Sequence, residues 1–134
     1  MPNTLVLRAL TGDLRGQEFA VKSPAHCILG RSRKCSLRLP GDATVSRQHC
    51  LIEIDNRGAW VQDLGSLNGT LVNGSKISPV HAPADSEATH VQSARQELND
   101  GDELRICNNI FAVCFKDTLR KLESSRENHL ALGV

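Results

Sequence analysis

Ser46 and His49 stand three residues apart in Ser46-Arg47-Gln48-His49. A hydroxyl near an imidazole is the raw material of a nucleophile and its base, with Asp63 available as the acid that orients the ring. That chemistry also needs a sharp backbone elbow and an oxyanion hole, and Val45-Ser46-Arg47 has no flanking glycine to make one. A hydrolase is therefore the weaker expectation, and no residue is assigned a catalytic role. Nucleotide binding has no motif behind it, neither G-x-x-x-x-G-K-[ST] nor a strand-linked G-x-G-x-x-G. His26, His49 and five cysteines supply metal-ligand types, but no pair has the spacing of a structural zinc site, so neither a metal nor a cofactor is expected. The cysteines are odd in number and lack a CxxC pair, which argues against a disulfide framework. Cys27, Cys50, Cys107 and Cys114 lie within or beside apolar runs and should behave as small buried hydrophobes.

Charge is more informative by position than in total. Between Gly30 and Arg47 lie Arg31, Arg33, Lys34, Arg38 and Arg47 against Asp42 alone, a local charge of +4. This is a candidate anion site, weighed against an ordinary solvated surface. The whole chain of 134 residues carries 16 Lys+Arg and 15 Asp+Glu, a formal charge of +1, so no bulk attraction to nucleic acid or membrane follows. Phe19, Trp60, Phe111 and Phe115 all fall in strand-like runs, which leaves no loop with a base-stacking platform. No nucleic-acid partner is expected. The longest apolar stretch, around Ile110 to Phe115, is far below the roughly 20 residues of a membrane span. Met1-Pro2-Asn3-Thr4 leads into Leu5-Val6-Leu7 without the features of a signal peptide, so the expected location is intracellular and cytoplasmic, with no membrane partner.

The elements that must position these residues follow a period of two, in short runs cut by Gly, Asn, Asp and Pro. Thr4 to Leu10 and Gln17 to Val21 form an opening hairpin about Gly12 and Gly16. His26 to Leu29 and Ser36 to Leu39 are short strands. Gln48 to Asp55 and Ala59 to Asp63 form a second hairpin, with Trp60 expected in the core. Thr70 to Val72, Asn73-Gly74 and Ser75 to Ile77 make a third. Residues 78–98, with Pro79, Pro83 and few large apolar side chains, read as a flexible insertion, although Ser93 to Leu98 also admits a helical turn. Glu103 to Ile106, a turn at Asn108-Asn109 and Ile110 to Lys116 close the pattern. The expectation is an all-β sandwich of two mainly antiparallel sheets, about ten to eleven short strands, with ligand loops at one end. One domain over residues 1–117 would then be followed by a tail or short helix over 118–134.

Gly30-Arg31, Ser46-Arg47-Gln48-His49, Asp63-Leu64-Gly65-Ser66-Leu67-Asn68-Gly69-Thr70 and Val72-Asn73-Gly74, in that order, closely resemble the signature of the forkhead-associated (FHA) domain. The resemblance runs from about Leu5 to Phe115 and includes Asn99-Asp100-Gly101-Asp102-Glu103-Leu104. It implies an FHA/SMAD-like sandwich that binds phosphothreonine in an extended peptide without catalysis, in a small single-domain adaptor. By the same resemblance, Arg31 would contact the phosphate or adjoining peptide backbone, and Ser46 would donate its hydroxyl to a phosphate oxygen. Arg47 would add a second contact, and Asn68 would hold the peptide main chain through an amide that both donates and accepts. Gly30, His49, Gly69 and Thr70 would support the loops, and Asn73 would serve its turn. The implied partner is a threonine-phosphorylated protein, a Ser/Thr kinase or its substrate, with the loop from Asp42 to Thr44 reading the third residue after the phosphothreonine.

Three features depart from the family pattern. Leu67 stands where a hydroxyl residue is common, Cys107 follows Ile106 where glycine is common and away from the expected site, and the insertion is long. The alternative is an interaction scaffold that keeps the fold and binds an unphosphorylated partner.

Overall fold

The computed structural model describes residues 3–77 and 95–116. The tail at 118–134 and most of the expected insertion lie outside those residues. Eleven strands follow one another: β1 (Thr4–Ala9), β2 (Glu18–Lys22), β3 (Ala25–Gly30), β4 (Leu37–Arg38), β5 (Cys50–Asp55), β6 (Gly58–Asp63), β7 (Leu71–Val72), β8 (Ser75–Lys76), β9 (Gln96–Leu98), β10 (Glu103–Ile106) and β11 (Asn109–Lys116). They form a six-stranded sheet, β2-β1-β11-β10-β7-β8, and a five-stranded sheet, β4-β3-β5-β6-β9. The β3–β4 pair is parallel, with Leu29 opposite Leu37, and the other pairs whose register is defined are antiparallel. No helix among the described residues is long and apolar enough to cross a membrane.

Alternation drives this architecture. In β5, Cys50, Ile52 and Ile54 are buried, while Leu51, Glu53 and Asp55 take the other face. In β6 the inward positions belong to Ala59, Val61 and Asp63. Leu5, Leu7, Val113, Phe111, Leu104 and Ile106 from the first sheet meet Leu29, Ile52 and Val61 from the second in one core. A single slip in register would turn these side chains outward, so the apolar pattern itself pins the pairing.

Trp60 corrects the core expectation. Ala59 and Val61 occupy the inward positions, so the indole lies half-buried on the outer face, with the Arg95 guanidinium 4.3 Å from its ring centroid. Gln96–Leu98 is a strand, not a helical turn. It pairs with β6 through Ala59 opposite Leu98, and Leu98 is buried. Three residues carry too little periodicity to announce an edge strand that tertiary pairing creates.

Candidate functional site

Three connections converge at one end of the sandwich. They are the β3–β4 loop after Gly30, the long β4–β5 connection up to His49, and the β6–β7 loop from Leu64 to Thr70. Backbone bonds hold the first two side by side: Arg31 N–H donates to the Ser46 carbonyl (3.0 Å) and Ser32 N–H to that of Arg47 (3.1 Å). Gly30 is required by this approach, because a Cβ there would run into the Arg47 carbonyl.

His49 ties the second connection to the third and is fully buried. Its Nδ1 faces the Ser46 backbone N–H at 3.1 Å, and its Nε2 lies 2.7 Å from the Gly69 carbonyl. A backbone N–H can only donate, so Nδ1 accepts and the ring proton sits on Nε2, donating to Gly69. Both ring nitrogens are thus committed to backbone. None is left for the Ser46 hydroxyl or for Asp63, so the three residues do not form a nucleophile–base–acid relay.

Asp63 instead organises the β6–β7 loop. Its carboxylate accepts from the Ser66 N–H (2.9 Å), the Ser66 hydroxyl (2.5 Å) and the buried Thr70 hydroxyl (2.7 Å), and the Ser66 oxygen then accepts from Gly69 N–H (2.9 Å). Gly69, at φ +83°, holds a left-handed conformation that a side chain would strain, and an added Cβ would strike the Lys76 side chain. Sequence reasoning missed this placement of Lys76, because it depends on β8 folding back over the loop.

The four expected ligand residues lie on these connections. Arg31 is exposed and uses Nε on the Val45 carbonyl (3.1 Å), which leaves its terminal nitrogens without an acid partner among the described residues. The half-buried Ser46 oxygen accepts from Leu67 N–H (3.1 Å), and its own hydrogen has no acceptor among the described residues. Asn68 donates one amide hydrogen to the Thr44 carbonyl (2.8 Å), which leaves a second N–H and Oδ1 for other partners. Arg47 is exposed. Hydrogen bonds therefore bring Arg31, Ser46 and Asn68 around the 44–46 backbone. The site is a rigid rim with spare donors, suited to an anion with several oxygens.

The 42–44 segment is clamped from two sides. Asp42 accepts from the Thr44 N–H (3.0 Å) and hydroxyl, and from Asn108 N–H (3.1 Å) and the Asn109 amide (3.3 Å) on the β10–β11 turn. These bonds, the Thr44 hydroxyl foremost, hold its carboxyl below the ordinary Asp range. Cys107 is not remote from the site, as the sequence implied. It adopts φ +56° and its thiol donates to the Thr44 carbonyl (3.3 Å), the oxygen that Asn68 also uses. The Asp42-x-Thr44 spacing is a recognisable Asx turn and was the signal available in the sequence. Leu67, by contrast, is 86% exposed, and only its backbone contributes to the rim.

All five thiols are free. Cys27 and Cys50 are buried as expected, whereas Cys107 and Cys114 are half-exposed, and Cys35 donates to the Arg47 carbonyl (3.0 Å). Burial pushes the Cys50 thiol far above its ordinary pKa and raises Cys27 and Cys35 as well. No three His, Cys, Asp or Glu among the described residues gather into a metal-binding group.

The family model for the FHA domain matches residues 27–107. The zebrafish E3 ubiquitin-protein ligase CHFR is 38% identical over 55 residues, which is 40% of this chain and 8% of that protein, so this chain corresponds to a small part of that relative. Among solved structures, an FHA domain from a structural and functional analysis of phosphothreonine-dependent FHA interactions is 28% identical, with a TM-score of 0.65 over 84% of this chain and 96% of that one. The kinase-interacting FHA domain of the Arabidopsis kinase-associated protein phosphatase is also 28% identical. Its TM-score is 0.68, over 87% of this chain and 97% of that one.

Proposed function

For a chain that belongs to the FHA domain family, we propose that the loop end of the sandwich binds phosphothreonine in partner proteins, as a non-enzymatic adaptor. The observation that carries this reading is the convergence of Arg31, Ser46 and Asn68 on one stretch of backbone, each with side-chain donors that no described residue takes up. A phosphate monoester carries about −1.5 to −2 charge and three acceptor oxygens. Arg31 and Arg47 supply charge-assisted donors, Ser46 a hydroxyl hydrogen, and Asn68 an amide for the peptide main chain. Because the rim is tied internally before any ligand arrives, little loop ordering opposes binding.

Gly30, His49, Gly69 and Thr70 support that rim. We assign no catalytic residue, since the His49 ring is spent on two backbone groups. The relative that interacts with a kinase supports a partner in Ser/Thr kinase signalling, a kinase or its substrate. Five free thiols fit a reducing, cytoplasmic setting. Residues 1–117 would form the domain and 118–134 its tail. The direct test is capture of threonine-phosphorylated proteins by the immobilised chain before and after phosphatase treatment. Loss of capture on dephosphorylation is expected, and phosphatase-insensitive capture would favour a phospho-independent scaffold.

A further inference from the structure

Six cations stand around the rim: Arg31, Arg33, Lys34 and Arg47 on the first two connections, Arg38 on β4 between them, and Lys76 beside Gly69. All are exposed, and none is ion-paired among the described residues, whose three ion pairs involve Glu53 and Asp55 elsewhere. Three carboxylates lie nearby against these six cations: Asp42 is held by its own turn and by Asn108 and Asn109, Asp63 is buried under Ser66 and Thr70, and the exposed Asp13 lies against Gly41. A phosphate of about two charges is matched by Arg31 and Arg47 alone. That leaves Arg33 and Lys34 on the β3–β4 loop, Arg38 on β4 and Lys76 beside Gly69. Arg38 is fixed there, since its Nε donates to the Arg31 carbonyl at 3.2 Å.

Resting on the phosphothreonine reading above, we infer that this end of the protein selects segments that carry further negative charge beside the phosphothreonine. The flanking cations would pair with Asp or Glu side chains or with a second phosphate, Arg in forked contacts and Lys as point charges. Each exposed charge pair is worth a factor of about two to five in affinity, so two or three together give about tenfold. The effect weakens as salt screens it.

The test is calorimetric titration with one phosphothreonine core in three flanking contexts: neutral, Asp/Glu-bearing, and bearing a second phosphothreonine. Wild type, the Arg33→Ala/Lys34→Ala pair, Arg38→Ala and Lys76→Ala are compared, with circular dichroism melts as the folding control. Acidic flanks should tighten wild-type binding about tenfold over neutral ones, and the two acidic contexts report which anion source is preferred. The flank variants should erase that gain while the neutral-flanked peptide stays within about twofold. Equal wild-type affinity for neutral and acidic flanks would overturn the inference while leaving phosphothreonine binding intact. So would flank variants that weaken both peptides alike. Failure of every phosphothreonine peptide to bind would instead overturn the underlying reading and this inference with it.

Discussion

Replacing His49 with Phe removes the tie between two binding loops while keeping most of the ring volume. The ring is fully buried, and the substitution leaves the Ser46 N–H and the Gly69 carbonyl without their partners at 3.1 and 2.7 Å. Leaving a buried polar group unsatisfied costs about 1–3 kcal/mol. Gly69 is buried and pays near the upper end, whereas half-buried Ser46 recovers part of its bond from water. The sum is about 3 kcal/mol. With a urea dependence of about 1–3 kcal/mol/M for a small domain, the midpoint should fall by about 1–3 M, read by the fluorescence of Trp60, the single tryptophan. At urea-free, low-temperature conditions where the variant remains folded, phosphopeptide affinity should still fall, because Ser46 and Gly69 no longer share one anchor. A His49→Phe variant with an unchanged midpoint and unchanged affinity would refute the assignment of His49 as the link between the loops.

Four further outcomes follow from the same geometry. Gly30→Ala should destabilise by about 1–3 kcal/mol in urea melts and weaken peptide binding, since its methyl must displace the Arg47 backbone. Asn73→Ala should cost about 2 kcal/mol, because Asn73 sits at φ +52° and bonds both Asp102 (2.9 Å) and the Glu103 N–H (2.9 Å). Asp42 has a folded pKa below its ordinary 3.8, so its stabilising contribution is present above that value and is lost as pH falls through the lower, folded one. Wild type should therefore exceed Asp42→Asn in thermal midpoint at neutral pH, with the gap closing only below about pH 4. Cys50 should resist a thiol reagent in the native protein and react on global unfolding, while the half-exposed Cys35, Cys107 and Cys114 react before it.

Most of the sheet pattern was legible because alternation such as Cys50-Leu51-Ile52-Glu53-Ile54 states both the strand and its buried face. The loops were legible in type but not in wiring. Sequence order gives Ser46, His49 and Asp63 as a plausible relay, and only the fold shows His49 bonded to two backbone groups and Asp63 to Ser66 and Thr70. Trp60 was misjudged against the alternation that turns Ala59 and Val61 inward. Lys76 and Cys107 were missed or misjudged for another reason: their neighbours come from chain folded back from elsewhere, Gly69 for Lys76 and Thr44 for Cys107. No local spacing encodes such contacts. β9 escaped because Gln96–Leu98 is short and its strand character comes from pairing with β6.

The most direct test of phosphothreonine recognition is isothermal titration of the protein with matched phosphothreonine, phosphoserine and unphosphorylated peptide pools, alongside Arg31→Ala and Ser46→Ala. Binding confined to the phosphothreonine pool and lost in both folded variants is the predicted result. Binding that ignores the phosphate, or that survives both substitutions, would contradict it.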